Sequence, residues 1–320
     1  MNAVRNHSGF PDRDKDILNF LAFIPPALLI WWKRQEGEVG SKSSGGKILT
    51  NPQIQEAKKM GKLDGKTAII TGAAGGIGLE IARRFNQEGA GVMICDRKKN
   101  QLENAREQIS AGRERVLTVS ADVTSEEDIH QVVSRTVEHF GGIHILVNNA
   151  GVVRFGKLEA ADHLAWRDIM RTNAYAPWQF AVAVLPEMRK AGGGSIINIS
   201  SINGVKAFPG MGVYSASKAA QQMLSQVMAM EVAADNIRVN SILPGLVEDT
   251  EFLYEVIGKE NLADFFASLR SLHPLGRNTK PKDVADAALF LASDQSEFIT
   301  GVLLNVDGGR HLATNRPPAA

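Results

Sequence analysis

The sequence predicts an α/β fold, a single domain on one seven-stranded, mostly parallel sheet, and three observations carry that prediction. Short β-branched runs alternate with longer amphipathic stretches from about residue 66 to residue 306. The strand-like runs are largely apolar rather than alternating, as strands covered on both faces are. Glycine-rich and polar clusters follow these runs, at the carboxyl ends where open parallel sheets bind ligands. A doubly wound, Rossmann-type sheet with helices on both faces and right-handed crossovers follows.

The first strand is 67–71 (TAIIT). The next stretch, 76–87, has helical spacing with Ile77, Ile81, Ala82 and Phe85 on one face. Residues 91–95 form a second strand, 100–109 a polar helix and 116–120 a third strand. A helix over 125–140 opens on Ser125 as N-cap, with Asp128 where a capping box has Glu or Gln. The fourth strand is 143–147. Three more, at 195–200 (SIINIS), 237–242 (IRVNSI) and 302–306 (VLLNV), are separated by helical stretches.

The domain spans 61–310, preceded by an extension over 1–60 and followed by a Pro-containing tail over 311–320. Lys and Arg number 36 against 35 Asp and Glu, a net charge of +1. This balance lacks the basic footprint of a nucleic-acid binder. One cysteine, Cys95, excludes an intrachain disulfide, and no Cys/His cluster has zinc-site spacing. A reducing, cytoplasmic location fits.

The extension carries an apolar segment at 17–32 (ILNFLAFIPPALLIWW). As a helix it would reach roughly 24 Å, short of a bilayer core of about 30 Å, and Pro25-Pro26 interrupts it. The net acidic stretch 12–16 and the lack of a small-residue cleavage site argue against a signal peptide. Three readings stay open. The segment lies in a membrane interface with Trp31, Trp32, Lys33 and Arg34 at headgroup level; or it packs as an arm on its own domain or a neighbouring subunit; or residues 1–59 precede the native mature protein, since Met60 stands just before the domain start. Residues 37–46 (GEVGSKSSGG) have a linker's composition.

Thr71-Gly72-Ala73-Ala74-Gly75-Gly76-Ile77-Gly78 follows the first strand and opens the first helix. Such glycines let backbone approach a pyrophosphate, and the helix N-terminus adds donors. Asp96 ends the second strand, eighteen residues after Gly78. A carboxylate there accepts from both ribose hydroxyls of NAD and repels a 2′-phosphate. Arg97, Lys98 and Lys99 would suit a 2′-phosphate, yet no basic residue lies within the loop, so NAD(H) is preferred over NADP(H). Tyr214 and Lys218, spaced i,i+4, share one helix face. A phenol has a pKa of about 10; a neighbouring ammonium is expected to lower it and make Tyr214 an acid/base partner for a substrate hydroxyl.

Together these motifs resemble the short-chain dehydrogenase/reductase family over 63–309. The glycine loop is similar to its Thr-Gly-x-x-x-Gly-x-Gly, and Asn148-Asn149-Ala150-Gly151 to its Asn-Asn-Ala-Gly. Ser201, thirteen residues before Tyr214, stands where the family has its catalytic serine, with Ser200 the competing candidate. Asn173 in RTNAY matches the helix asparagine. The resemblance implies that Tyr214 is the acid/base, that Ser201 bonds the substrate oxygen, and that Lys218 holds the nicotinamide ribose. Asn173 is implied to support a proton-relaying water. It places Asp122 and Val123 near the adenine ring, although Asp122 also suits a helix cap. Asn149, Ala150 and Gly151 are implied beside the cofactor; Asn148 and Asn149 also have a structural reading. Pro244, Gly245 and Val247 resemble the loop that meets the nicotinamide carboxamide, but Asp249 stands where the family usually has threonine, with Thr250 one residue on. Segments 274–277 and 306–309 read as mainly structural.

The implied activity is exchange of hydride between NAD(H) and a secondary alcohol or ketone. Alternatives are reduction of a 3-oxoacyl thioester and a non-catalytic cofactor-binding role. Enoyl reductases of the superfamily usually space Tyr and Lys more widely. Substrate walls are expected from 152–155, 202–211 and 246–271, including Phe155, Phe208, Phe252, Tyr254, Arg154 and Lys206. A homotetramer or dimer built on helices around 174–190 and 213–234 is implied as well.

Overall fold

The computed structural model describes residues 61–110, 115–248 and 258–313. The apolar segment 17–32, the stretch 37–46, the tail beyond 313, and Asp249, Thr250, Phe252 and Tyr254 lie outside the described residues.

The strands are β1 (Thr67–Thr71), β2 (Gly91–Asp96), β3 (Val116–Ser120), β4 (Ile145–Asn148), β5 (Gly194–Ile199), β6 (Ile237–Pro244) and β7 (Leu303–Val306). They pair in the order β3-β2-β1-β4-β5-β6-β7. Every pairing is parallel, so the sheet is wholly rather than mostly so. Strand order reverses between β1 and β4, which run side by side with Ile70 opposite Val147. Two of the expected ligand-binding loops therefore leave the sheet at its switch point.

The helices are α1 (Gly76–Gln87), α2 (Lys99–Ser110), α3 (Glu126–Phe140), α4 (His163–Met170), α5 (Ala176–Lys190), α6 (Gly212–Glu231), α7 (Leu262–Leu269) and α8 (Pro281–Ala292). Successive strand residues feed opposite faces. Ala68 and Ile70 join Phe85 of α1 and Val284 of α8 on one side. Ile69 joins Val132 of α3 and Phe180 of α5 on the other.

Three local departures from the sequence-based expectation have physical causes. The fourth strand starts at Ile145, two residues late. His144 Nδ1 accepts the Thr67 N–H at 3.1 Å, so a ring nitrogen occupies a ladder position. Burial, helped by Lys66, pushes His144 below its ordinary pKa, in keeping with a neutral, accepting ring. Ser125 does cap α3, accepting from Asp128 N at 3.2 Å. The Asp128 carboxylate, however, turns to Asp122 N at 2.7 Å and helps close the loop after β3. Finally, α4 and α5 form one helical run joined by a π turn, Arg171–Tyr175, in which Ala176 N reaches back to Arg171 O. Pro177 follows with no N–H to offer, and π turns mark functional sites often enough to single out Asn173.

Candidate active site

Four candidate catalytic residues arrive from three elements. Ser201 follows β5, Asn173 sits in the π turn, and Tyr214 and Lys218 lie one turn apart on α6. All four are buried. Tyr214 is hydrogen-bonded to Ser201, and Lys218 Nζ lies 5.9 Å from the Tyr214 ring centroid. That ammonium donates to Ile199 O at 2.8 Å and to Gln221 Oε1 at 3.3 Å.

Ser200 and Ser201, the two candidate serines, have different partners. Ser200 Oγ faces inward, donating to Lys218 O at 3.4 Å and accepting from Gln222 Nε2 at 3.0 Å. Ser201 Oγ touches Tyr214 and also pairs with Asn203, whose N–H and Oδ1 both lie 3.1 Å away.

The expected lowering of the Tyr214 pKa is reversed. Burial pushes the phenol up to about 12, outweighing its hydrogen bond with Ser201. The same burial pushes Lys218 down to about 7. Removing either charge from water costs more than their mutual attraction returns at this separation. The group titrating near neutrality is thus Lys218, not Tyr214.

Asn173 is held by backbone on both sides of its amide. Its Oδ1 accepts from Val152 N at 2.8 Å, while Nδ2 donates to Val152 O at 2.8 Å and Ser217 Oγ at 3.0 Å. Gly151 lies between it and Lys218: a Cβ there would stand 3.3 Å from Asn173 Oδ1 and 3.8 Å from Lys218 Nζ.

The glycine loop is pinned from β4. Asn149 Nδ2 donates to Thr71 O at 3.0 Å and Gly72 O at 2.9 Å, and Thr71 Oγ1 accepts from the N–H groups of Asn149 and Ala150 at 3.0 Å each. Gly72 has φ +63°, and a Cβ there would sit 2.8 Å from Ala150 Cα. At Gly78 a Cβ would lie 2.5 Å from Gly72 O, so α1 packs against the loop itself. Gly75 differs: a Cβ there would meet nothing within 4 Å, and as the N-cap of α1 it offers no side-chain hydrogen bond. Gly76, at φ +55°, begins the helix, and Ile77 packs on the core. This uncapped, open N-terminus with a carboxylate above it fits the pyrophosphate and ribose of a nicotinamide dinucleotide. The carboxylate is Asp96, which accepts from Ala74 N at 3.4 Å and from Lys98 N at 3.0 Å.

Arg97 is 67% exposed and leans 3.9 Å from Asp122. Burial raises the Asp122 carboxyl, but the N–H and hydroxyl of Thr124, with Arg97 and Arg171, outweigh it and hold it below the ordinary value. Asp122 does not cap α3, since Ser125 does. Val123 buries its side chain in the core. Asn148 is structural, donating to Pro177 O and Asn198 Oδ1 at 3.1 and 2.9 Å. Pro244 ends β6 opposite Val306, and Gly245 N donates to Val306 O at 3.1 Å. Val247 is buried and pairs with Thr279. Segments 274–277 and 306–309 meet through Leu275 N and Gly308 O at 3.2 Å.

Of the expected substrate wall, Phe155 is exposed and Phe208 half-buried under Arg310, whose guanidinium lies 5.2 Å from the ring centroid. Arg154 is exposed, whereas Lys206 is committed to the carbonyls of Arg310, His311 and Ala313. Among the described residues no His, Cys, Asp and Glu group could hold a metal ion, and no helix is long and apolar enough to cross a membrane. Sequence reasoning missed Ser217, Gln221 and Gln222, and placed Thr71 in the loop motif without foreseeing its bonds to Asn149 and Ala150. Gln222 Nε2 also donates to Ser201 O at 2.9 Å.

A parallel sheet with a glycine cradle at its switch point and a buried Ser–Tyr–Lys cluster beside it defines a dinucleotide-linked oxidoreductase. A family profile described as Enoyl-(Acyl carrier protein) reductase matches residues 72–311. The chain is 37% identical over 251 residues to 4-formylbenzenesulfonate dehydrogenase TsaC1/TsaC2 of Comamonas testosteroni, covering 78% of this chain and 99% of that one. It is also 37% identical to the 3-oxoacyl-(acyl-carrier-protein) reductase FabG of Thermotoga maritima, covering 78% and 98%. A crystal structure of a putative short-chain dehydrogenase/reductase from Burkholderia xenovorans superposes with a TM-score of 0.73 at 34% identity, covering 80% of this chain and all of that one. The chain belongs to the short-chain dehydrogenase/reductase family, whose members are oxidoreductases using NAD(P)(H).

Proposed function

We propose that the protein transfers a hydride reversibly between NAD(H) and a secondary alcohol or ketone, with Tyr214 as the acid/base. The observation that carries this reading is the convergence of Tyr214, Ser201 and Lys218 next to the glycine cradle. The nicotinamide ring, when bound, supplies or takes up the hydride. In the reducing direction Tyr214, protonated at neutral pH, gives its proton to the carbonyl oxygen. Ser201 holds that oxygen. Lys218, with its titration near neutrality, returns a proton to the phenolate and steadies it while it is charged. Asn173 fixes the wall at Val152, against which the substrate and a relaying water would rest.

NAD(H) is favoured over NADP(H) because the Asp96 carboxylate stands at the loop, while Arg97 leans toward Asp122 instead. The relative from Thermotoga maritima supports a second reading, reduction of a 3-oxoacyl thioester, which uses the same residues. The four-residue spacing of Tyr214 and Lys218 favours both over enoyl reduction. A homo-oligomer formed through α5 and α6 belongs to this reading, as does peripheral membrane contact through 17–32, which flotation with and without residues 1–59 tests.

The decisive experiment follows NADH absorbance with a panel of secondary alcohols, ketones and 3-oxoacyl thioesters. Wild type should turn over with a kcat/KM for NAD(H) at least about tenfold above that for NADP(H). Tyr214→Phe should keep NADH binding and lose at least about a hundredfold in kcat. Unchanged turnover in Tyr214→Phe overturns the mechanism, and equal or reversed cofactor use overturns the assignment of Asp96.

A further inference from the structure

Gln221 lies one helical turn beyond Lys218 on α6 and is buried with it. Its Oε1 is the side-chain acceptor of the Lys218 ammonium, at 3.3 Å; the other acceptor is the backbone carbonyl of Ile199, at 2.8 Å. An ammonium carries donors only. The amide must therefore present its oxygen to Lys218 and turn its nitrogen away. That nitrogen, Nε2, is buried with no hydrogen-bond partner among the described residues. Gln221 there lines a small cavity between α5 and α6, with Trp178, Asn198, Leu224 and Ser225.

An orphaned buried donor destabilises a fold. A leucine would fill nearly the same volume without one, and so would satisfy packing alone better. The glutamine's distinctive contribution is the contact of Oε1 with Lys218. The neighbouring glutamine shows what a purely structural amide looks like here: Gln222 Nε2 is satisfied twice, by Ser200 Oγ and Ser201 O.

We infer that Gln221 is a positioning residue: through Oε1 it holds the Lys218 ammonium beside Tyr214, favours its charged form, and so sets the pH above which the site stops working. The inference rests on the function proposed above, because it concerns the same Tyr214–Lys218 pair. The groups around Lys218 are few. Tyr214 faces it from α6, the Ile199 carbonyl from β5, and Asn173 from the π turn across Gly151. Among these Tyr214 is the titratable one. Burial already holds Lys218 down to about 7, so loss of one acceptor would carry its midpoint below neutrality.

Two variants of similar volume push the midpoint in opposite directions. Gln221→Leu removes the acceptor and should move the Lys218 midpoint, and the alkaline loss of ketone-reducing kcat/KM, down by about one pH unit. Gln221→Glu sets a carboxylate against the ammonium and should move both up by about one unit or more. The midpoint is read directly, without substrate or cofactor, from the 13Cε resonance of Lys218 in labelled protein, assigned by its disappearance in Lys218→Arg. Opposite displacements in the two folded variants support the inference, because a structural amide would lower stability without moving the midpoint either way. Midpoints that superimpose on wild type overturn it. If Gln221→Leu does not fold, the direction in Gln221→Glu decides alone. A wild type without turnover on the whole panel would instead sink the proposed function, and the resonance titration would still judge the role of Gln221.

Discussion

Tyr214 and Lys218 are displaced in opposite directions by the same burial, and that has a thermodynamic consequence at each residue. Lys218 titrates near 7 in the fold and near 10.5 when exposed in the unfolded chain. Between those values the unfolded chain binds more protons, so stability rises with pH across this window. Put the other way, the buried ammonium costs stability in full below about pH 7, and the cost fades toward pH 10.5. Lys218→Met removes the titration. The stability difference between the variant and wild type should shift by roughly 2 kcal/mol in favour of wild type between pH 7 and pH 9. Urea unfolding at the two pH values measures it; a difference constant with pH would mean that Lys218 is not desolvated. Tyr214 acts in the other sense and at higher pH, losing stability as pH rises from 10 toward 12, outside that comparison.

At the scale of elements, α6 explains both what was legible in the sequence and what was not. The strands read correctly to within about two residues because buried parallel strands announce themselves as β-branched runs. Of the candidate quartet, Tyr214 and Lys218 were legible from their shared helix face, whereas Ser201 and Asn173 were reached only through the resemblance to the family. The support of that quartet was hidden, because α6 buries Ser217, Gln221, Gln222 and Ser225 while exposing Met223, Leu224, Val227 and Met230. A reading by amphipathicity turns such a helix inside out. The direction of the tyrosine shift was missed for a related reason: spacing reports which groups meet, not how far water is excluded. Similarly, the π turn that presents Asn173 leaves no periodic signal, only Pro177 after it. The glycine loop gives the test at this scale. Asn149 spans from β4 to the carbonyls of Thr71 and Gly72, so Asn149→Ala should cost about 1–3 kcal/mol of stability. It should also weaken NADH binding several-fold while leaving kcat within about twofold, because the cradle loosens but Tyr214 does not move. Fluorescence titration and steady-state kinetics separate these; a fall in kcat with unchanged NADH affinity would place Asn149 in the chemistry instead.

For the whole molecule, the sheet accounts for the inside and leaves one outside face unexplained. The switch point between β1 and β4 gathers the cofactor cradle, and β5 with α6 gathers the proton-handling residues, on one edge of the sheet. The reverse side of α6 carries the exposed apolar residues at 223, 224, 227 and 230, the last of them 83% exposed. The adjoining α5 carries Trp178 and Val182 outward, and Tyr175 at the end of the π turn before it lies in the same row, its ring 5.4 Å from that of Trp178. A contiguous apolar surface on two neighbouring helices marks an interface more often than an accident, and isologous pairing would bury α5 and α6 of one copy on α5 and α6 of another. The expected state is therefore a dimer or a tetramer containing that dimer. A Val182→Glu/Val227→Glu double variant places a carboxylate on each helix of the patch without touching a buried residue, so each copy should still fold. Sedimentation velocity should show the variant at half the wild-type mass or less, and thermal unfolding should shift to lower temperature, since association stabilises the folded copies by mass action. The apolar patch shares Trp178 and Leu224 with the cavity beside Gln221, so a variant that dissociates should also lose affinity or turnover before it loses its fold. A wild type that sediments as a monomer, or a variant unchanged in mass, would show that this face serves something other than a second copy.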